Sequence, residues 1–446
     1  MTQASRAAAT IDVPHFIDSQ PVGGFQLRLM LICAAVLFVD GFDTQAIGYV
    51  APALAHEWKL SRGAMGPLFS AGLFGLMIGA LTLGVVADRI GRKRVILLST
   101  AVFGIGTLIT AFAPDETWLL LLRFLTGLGL GGAMPNAVAL TSEFSPHRRR
   151  ASMVMTMFAG FSIGAAIGGI VAAALIPAFG WRSVFVVGGL CPLLLVPVLL
   201  RTLPESIRFL ALHGARDREV GAVLSHLAPS VPGLDTASFV VSEPKLTGLP
   251  VAHLFAENRT ATTLLLWVVF FMSLLDLYLL SNWLPTVLND LGVSISAAAA
   301  IGAVLQIGGV IGTFTLGRFV DRFSFGALAL TFFCAAIAVA AIGMLGHSAG
   351  LVTLAIFAAG FCIVGGQISS NALTATYYPT AIRSTGVGWA LGIGRIGSII
   401  GPLVGGYMLA RHVDNQTLFL VAAVPALIAS AAGLVLAVMK RSATTN

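Results

Sequence analysis

Long apolar runs separated by short polar stretches make up most of this chain, and the basic residues lie mainly in the stretches between the runs. A helix needs about 20 apolar residues to cross a ~30 Å hydrocarbon layer. Twelve such runs begin near Leu29, Met65, Val95, Trp118, Ala151, Trp181, Thr262, Ala297, Phe325, Gly350, Thr385 and Thr417. They predict an all-α integral membrane fold with twelve transmembrane helices. The residues before Leu29 are polar and lack a short apolar stretch followed by a small-residue cleavage site, so no removable signal peptide is expected.

The longest break, about Thr202 to Thr260, falls between the sixth and seventh runs. The expected organisation is a tail (1–28), a six-helix bundle (29–201), a linker (202–260), a second six-helix bundle (261–439) and a tail (440–446). Internal repetition supports the division. Gly84, Asp88 and Arg89 recur as Gly317, Asp321 and Arg322, each 233 residues later, and at the same offset Arg150 falls on Arg383. Repeats of this size predict two pseudo-symmetric halves with a binding cavity between them near the bilayer midplane.

Composition excludes the soluble alternatives. Hydrophobic residues make up 57% and charged residues 10%, with a mean hydropathy of +0.93; soluble domains carry about 25% charged residues. The 50 glycines suit close helix packing, because small residues let backbones approach where lipid supplies no hydrophobic drive. Cys33, Cys191, Cys334 and Cys362 sit in apolar runs without metal-ligand spacing and are expected to be small packing residues. A net charge of +7 does not indicate nucleic acid, because the basic residues are dispersed. With a cytoplasmic N-terminus, 20 of the 26 Lys and Arg lie on the cytoplasmic side. Only Lys59, Arg62, Arg182 and Arg411 lie outside, with Arg123 and Arg395 inside spans. That bias predicts both termini in the cytoplasm.

The stretch Gly84-Val-Val-Ala-Asp88-Arg89-Ile-Gly91-Arg92-Lys93-Arg94 resembles the loop signature between the second and third helices of the major facilitator superfamily. Arg123 to Pro135 is similar to that superfamily's fourth-helix motif, and Pro204-Glu205-Ser206-Ile-Arg208 to its motif after helix six. Asp40-Gly41-Phe42-Asp43, Trp283-Leu-Pro285 and the segment Gly394 to Pro402 resemble the aromatic acid:proton symporters. The resemblance covers essentially the whole chain. It implies import of hydroxybenzoate- or benzoate-type acids across the bacterial inner membrane for catabolism. It also implies that Asp40, Asp43, Arg123 and Arg395 carry transport. Drug exporters of the superfamily carry a proline in helix five where this chain has Ala165, which speaks against efflux.

Charges inside a bilayer are expensive and mark function by default. Asp40, about 17 Å from the start of its span, lies near the midplane; Asp43, three residues on, is expected on the same helix face. Arg123 falls at a similar height, so an ion pair between the first and fourth spans is expected, either as a transport element or as a static brace. The histidines (His15, His56, His147, His213, His226, His253, His347, His412) all lie in tails, loops or span ends, which leaves Asp40 or Asp43 as the proton carrier. Arg395, about 15 Å deep, is the expected anchor for the substrate carboxylate, since a guanidinium binds carboxylates bidentately and stays charged. Asp276 is open to proton coupling, substrate contact or a structural hydrogen bond.

Phe38, Phe42, Tyr278, Trp283, Trp389, Gln306, Asn136 and Gln367 are expected around the aromatic ring. By resemblance Gly84, Asp88, Arg89, Gly91, Arg92, Glu143, Asp321 and Arg322 form a cytoplasmic gate; basic loops also serve orientation alone. Gly160, Gly164, Gly168 and Gly397, Gly401, Gly405 mark close-packing faces. No phosphate loop, dinucleotide fingerprint, metal cluster or nucleophile elbow occurs, so neither an enzyme nor a cofactor beyond the coupling proton is expected. The expected partners are an aromatic carboxylate, protons and lipid, with a monomer as the working unit. Carriage of another organic anion (a dicarboxylate, quinate-like or sugar acid) and sensing of such acids are the alternatives.

Overall fold

The computed structural model describes residues 10–212, 217–229, 231, 234, 237–240, 251–345, 348–379 and 382–445. His213 and His347 lie outside these residues. Ahead of the first span are a strand, β1 (Thr10–Asp12), and a short helix, α1 (Val13–Ser19). The first six spans are α2 (Gly24–Trp58), α3 (Arg62–Ile90), α4 (Arg92–Thr110), α5 (Glu116–Glu143), α6 (His147–Phe179) and α7 (Arg182–Thr202). Between the halves come α8 (Ile207–Leu212), α9 (Asp217–Leu227) and β2 (Ser238–Val240). The second six are α10 (Thr260–Asp290), α11 (Ile295–Phe323), α12 (Phe325–Met344), α13 (Ala349–Tyr377), α14 (Arg383–Ala410) and α15 (Asn415–Thr445). Among the described residues twelve helices are long and apolar enough to cross a membrane. Large side chains such as Leu81, Phe112, Phe179 and Leu194 are exposed around them, as a lipid-facing belt requires.

Local chemistry sets the helix ends. Asp115, Ser61 and Ser294 each accept a main-chain N–H from the first turn that follows. Gly91, with φ of +100°, makes the sharp break between α3 and α4.

The halves are packed alike. In the first, α2 lies on α6, α3 on α5 and α4 on α7; in the second, α10 lies on α14, α11 on α13 and α12 on α15. Glycine makes the closest of these crossings possible. A side chain at Gly164 would fall on the main chain of Phe38, and one at Gly397 on that of Phe271. Of the cysteines, Cys33 and Cys362 are buried as expected, whereas Cys191 and Cys334 are exposed among the lipid-facing side chains. Their positions within apolar runs do not reveal that difference.

Contacts between the halves join α6 to α11, α3 to α14 and α2 to α10, mostly towards the face opposite the linker. There Ser296 donates to the Ala173 carbonyl (2.5 Å), Ser70 to that of Ile399 (2.8 Å), and Arg62 pairs with Asp290. The two halves therefore close on that side.

On the linker face, the tail and linker are more than connectors. β1 and β2 pair in parallel, Thr10 opposite Ser238. Val13, Ile17, Ile207, Val220, Leu224 and Phe239 share one apolar cluster with the ends of the first-half helices. The Asp18 carboxylate accepts the His147 main-chain N–H (2.6 Å) at the start of α6. These apolar patches are each too short to register as spans in the sequence.

Candidate functional site

Four helices of the first half bury one ion pair. Arg123 on α5 donates from both terminal nitrogens to Asp43 on α2, at 2.5 and 3.4 Å. Thr107 on α4 donates to the same carboxylate at 2.5 Å, and Phe185 on α7 lies under the guanidinium at 5.4 Å. Asp43 is fully buried and Arg123 is 3% exposed. The fork of Arg123 is committed to Asp43 within the first half. A small cleft bordered by Thr44, Phe69 and Gly72 lies beside the pair.

Asp40 looks elsewhere. Three residues of helix turn a side chain by about 60° from its neighbour, enough to separate the two carboxylates that share one broad face. Thr44 donates to Asp40 Oδ1 at 3.0 Å, while Oδ2 is buried without a protein partner. Arg395, from α14 in the other half, lies close enough for its charge to act on Asp40. Its guanidinium is 3.4 Å from the Tyr278 hydroxyl on α10 and 3.3 Å from Met134 Sδ on α5. Thus α2, α5, α10 and α14 converge on one cation, and among the described residues no carboxylate forms an ion pair with it. A guanidinium held at such a junction can take a carboxylate from outside the chain.

The remaining candidates divide. Asp276 is buried with neither oxygen hydrogen-bonded, so it is not the partner of Arg395. Gln306 donates to Ser281 (3.2 Å), Gln367 accepts from Asn371 (3.3 Å) and Asn136 donates to the Gly132 carbonyl of its own helix (2.8 Å). Four of the aromatic candidates have neighbours of their own. Phe42 packs within the first half against Gly168 and Gly188, and the main chain of Phe38 lies against Gly164 of α6. Trp283 donates to the Pro402 carbonyl (2.9 Å) and meets Phe69 edge-on, as part of the seal between halves. Trp389 is 45% exposed and stacks on Trp267 at 5.8 Å, away from the Arg395 junction. A helix that is apolar on every side gives no sequence signal for which face turns inward.

Sequence reasoning missed Met134, Thr107 and a set of buried polar groups, namely Gln45, Asn282, Thr286 and Ser369, each with an atom that finds no protein partner. The signal was available, since amides and hydroxyls in the middle of an apolar run are as conspicuous as charges, though less costly.

At the linker face, Arg92 pairs with Glu143, and Glu143 accepts from Ser206 Oγ (2.7 Å). Glu205 accepts the main-chain N–H groups of Lys93 (3.0 Å) and Ser206 (2.8 Å), and it fills the space a side chain at Gly91 would need. The network ties the α3–α4 break to the end of α5 and the chain after α7. Asp88 and Arg89 are exposed one turn away, and Gly84 has open space around it. In the second half Arg322 lies over Phe323 (5.2 Å), and the side chain of Asp321 lies outside the described residues.

A family model described as Major Facilitator Superfamily matches residues 33–345 and 266–446. The chain is 42% identical to a gallate transporter of Pseudomonas putida, over 95% of this chain and 94% of the other. It is 42% identical to a 4-hydroxybenzoate transporter of Pseudomonas aeruginosa, with 96% of each covered. A 3-(3-hydroxy-phenyl)propionate transporter of Escherichia coli is 40% identical over 86% of this chain and 88% of the other. Among solved structures, a partially occluded inward-open xylose transporter of E. coli superposes with a TM-score of 0.73 at 16% identity, covering 91% of this chain and 98% of that one. That likeness concerns the fold alone.

Proposed function

Since the chain belongs to the major facilitator superfamily and, within it, to the transporters of aromatic acids, we propose that it imports a benzoate- or hydroxybenzoate-type carboxylate together with protons. It is a multi-pass membrane transporter and not an enzyme. The observation that carries the finer reading is Arg395, a buried-edge cation at the junction of the two halves with a tyrosine hydroxyl beside it and, among the described residues, no carboxylate in an ion pair with it. In this reading the substrate carboxylate docks on Arg395, and Tyr278 supplies a second hydrogen bond.

Asp40 couples the proton. A substrate carboxylate and an ionised Asp40 would compete for one guanidinium, so binding both a proton and the substrate avoids crowding two negative charges into a space of low dielectric. The reading is supported by the nearness of the Arg395 charge to Asp40, and by the unpartnered Asp40 Oδ2. Asp276, buried and unpartnered, is a second proton-coupling candidate. Asp40→Asn is expected to retain exchange of labelled 4-hydroxybenzoate across vesicles but to lose accumulation driven by an inward proton gradient. Full gradient-driven uptake in both Asp40→Asn and Asp43→Asn would remove these residues from the coupling path.

The halves work by alternating access. The closed side carries the testable geometry, because a side chain at Gly63 on α3 would place its Cβ 3.6 Å from that of Ala410 on α14. Disulfides join Cβ atoms about 3.5–4.5 Å apart. A Gly63→Cys/Ala410→Cys protein should therefore cross-link under mild oxidant and stop transporting, and reductant should restore it. Undiminished transport by the cross-linked protein would mean that these helix ends never separate. We place the chain in a bacterial inner membrane as a monomer with both termini cytoplasmic, on the concentration of basic residues at the linker face. The Arg92–Glu143–Ser206 network then sits at the cytoplasmic gate.

A further inference from the structure

We propose that Gln45 and Asn282 form a subsite for a ring hydroxyl of the transported acid and so set the preference for hydroxylated over unsubstituted aromatic acids. The inference rests on the reading of Arg395 as the carboxylate anchor. Gln45 on α2 is 1% exposed, and neither its amide nitrogen nor its amide oxygen meets a protein partner. Asn282 on α10 is 2% exposed; its nitrogen donates to the Tyr278 carbonyl (2.7 Å), but its oxygen is unpartnered. Thr286, one turn further along α10, also has a buried, unpartnered hydroxyl. Buried polar atoms are almost always hydrogen-bonded, so several unmatched ones on facing helices require a partner from outside the chain.

The two helices bring these groups together. At Gly48 the α2 backbone presses against α10, and a side chain there would place its Cβ 3.5 Å from the unpartnered Asn282 oxygen. Gln45 precedes Gly48 by three residues and therefore lies on the same face of α2, one turn nearer the midplane. Along the axis Gln45 is about 7.5 Å beyond Asp40 and Asn282 about 6 Å beyond Tyr278, while around α2 Gln45 is turned about 140° from Asp40, towards the face that Gly48 presents to α10. A benzoic acid ring with its carboxylate on Arg395 and its para position directed along α2 and α10 spans a distance of that order. A phenolic hydroxyl both donates and accepts, and a carboxamide offers both complements. An unsubstituted ring would leave the amides buried and unpaired, the arrangement by which sites reject analogues lacking a hydroxyl.

The test measures binding of 4-hydroxybenzoate and benzoate to the purified full-length protein by calorimetry, with gradient-driven uptake of both in proteoliposomes. Wild-type protein should prefer 4-hydroxybenzoate. Gln45→Leu should weaken its binding about tenfold or more while leaving benzoate unchanged or tighter, so that the selectivity ratio collapses. Asn282→Leu should shift the ratio in the same direction. Gln45→Met, with the thermal midpoint measured alongside, decides the matter if the leucine variant does not fold. An unchanged ratio in a folded variant, or equal weakening of both acids, overturns the subsite while leaving aromatic acid transport intact. Failure of the wild-type protein to bind either acid overturns the transport reading, and this inference with it.

Discussion

Vesicles containing Arg395→Ala protein are expected to accumulate no 4-hydroxybenzoate under an inward proton gradient, and Arg395→Lys protein less than about a tenth of the wild-type amount. Hydrogen bonds to charged groups contribute about 1.5–3 kcal/mol each, so losing the planar fork costs roughly one to two orders of magnitude in affinity. Lysine keeps the charge but offers a point where arginine offers two parallel donors. The side chain's protein contacts are modest, a 3.4 Å approach to Tyr278 and a 3.3 Å approach to Met134, so both variants should fold with nearly unchanged thermal midpoints. Retained wild-type affinity in Arg395→Lys would show that the carboxylate is held elsewhere.

Asp43→Ala is expected to damage the fold first and transport as a consequence. The Asp43–Arg123 pair is buried among four helices, and removing one partner of such a pair costs about 3–5 kcal/mol because the other charge is left uncompensated. Thermal unfolding in detergent should show a large fall. In Asp43→Ala/Arg123→Leu much of the loss should return, since replacing both members removes the stranded charge. Uptake by this double variant separates two roles. A stable protein without transport gives the pair a part in the transport cycle, whereas a stable and active one makes it a brace between α2 and α5.

The architecture could be read in the sequence because each span has to satisfy a length and hydropathy condition that few other structures meet. The 233-residue repeat likewise became the matching order of helix contacts in the two halves. Orientation within a span was far less legible. Asp40 and Asp43 are one turn apart and equivalent by type, yet Asp43 meets Arg123 in its own half, whereas Asp40 is held only by Thr44 and leaves one oxygen unpartnered. Phe42, Trp283 and Trp389 were plausible ring contacts by type, but a helix buried in protein on one side and lipid on the other is apolar on both, so type carries no direction. Motif pieces distant in the chain were easier to join. Arg92, Glu143 and Ser206 stand in three separate signatures and meet in one network.

The pairing of β1 with β2 also bears on the order in which the protein is made. Residue 10 leaves the ribosome before any span does, but its strand partner at residue 238 follows only after all six spans of the first half. Chains emerge at about 5–20 residues per second and fold from the N-terminus. The first half can therefore close its own ends, with Asp18 capping α6 and the strands joined, before the second half is complete. The junction around Arg395 draws on both halves and cannot form until α14 has been made, so it belongs to the last stages of assembly.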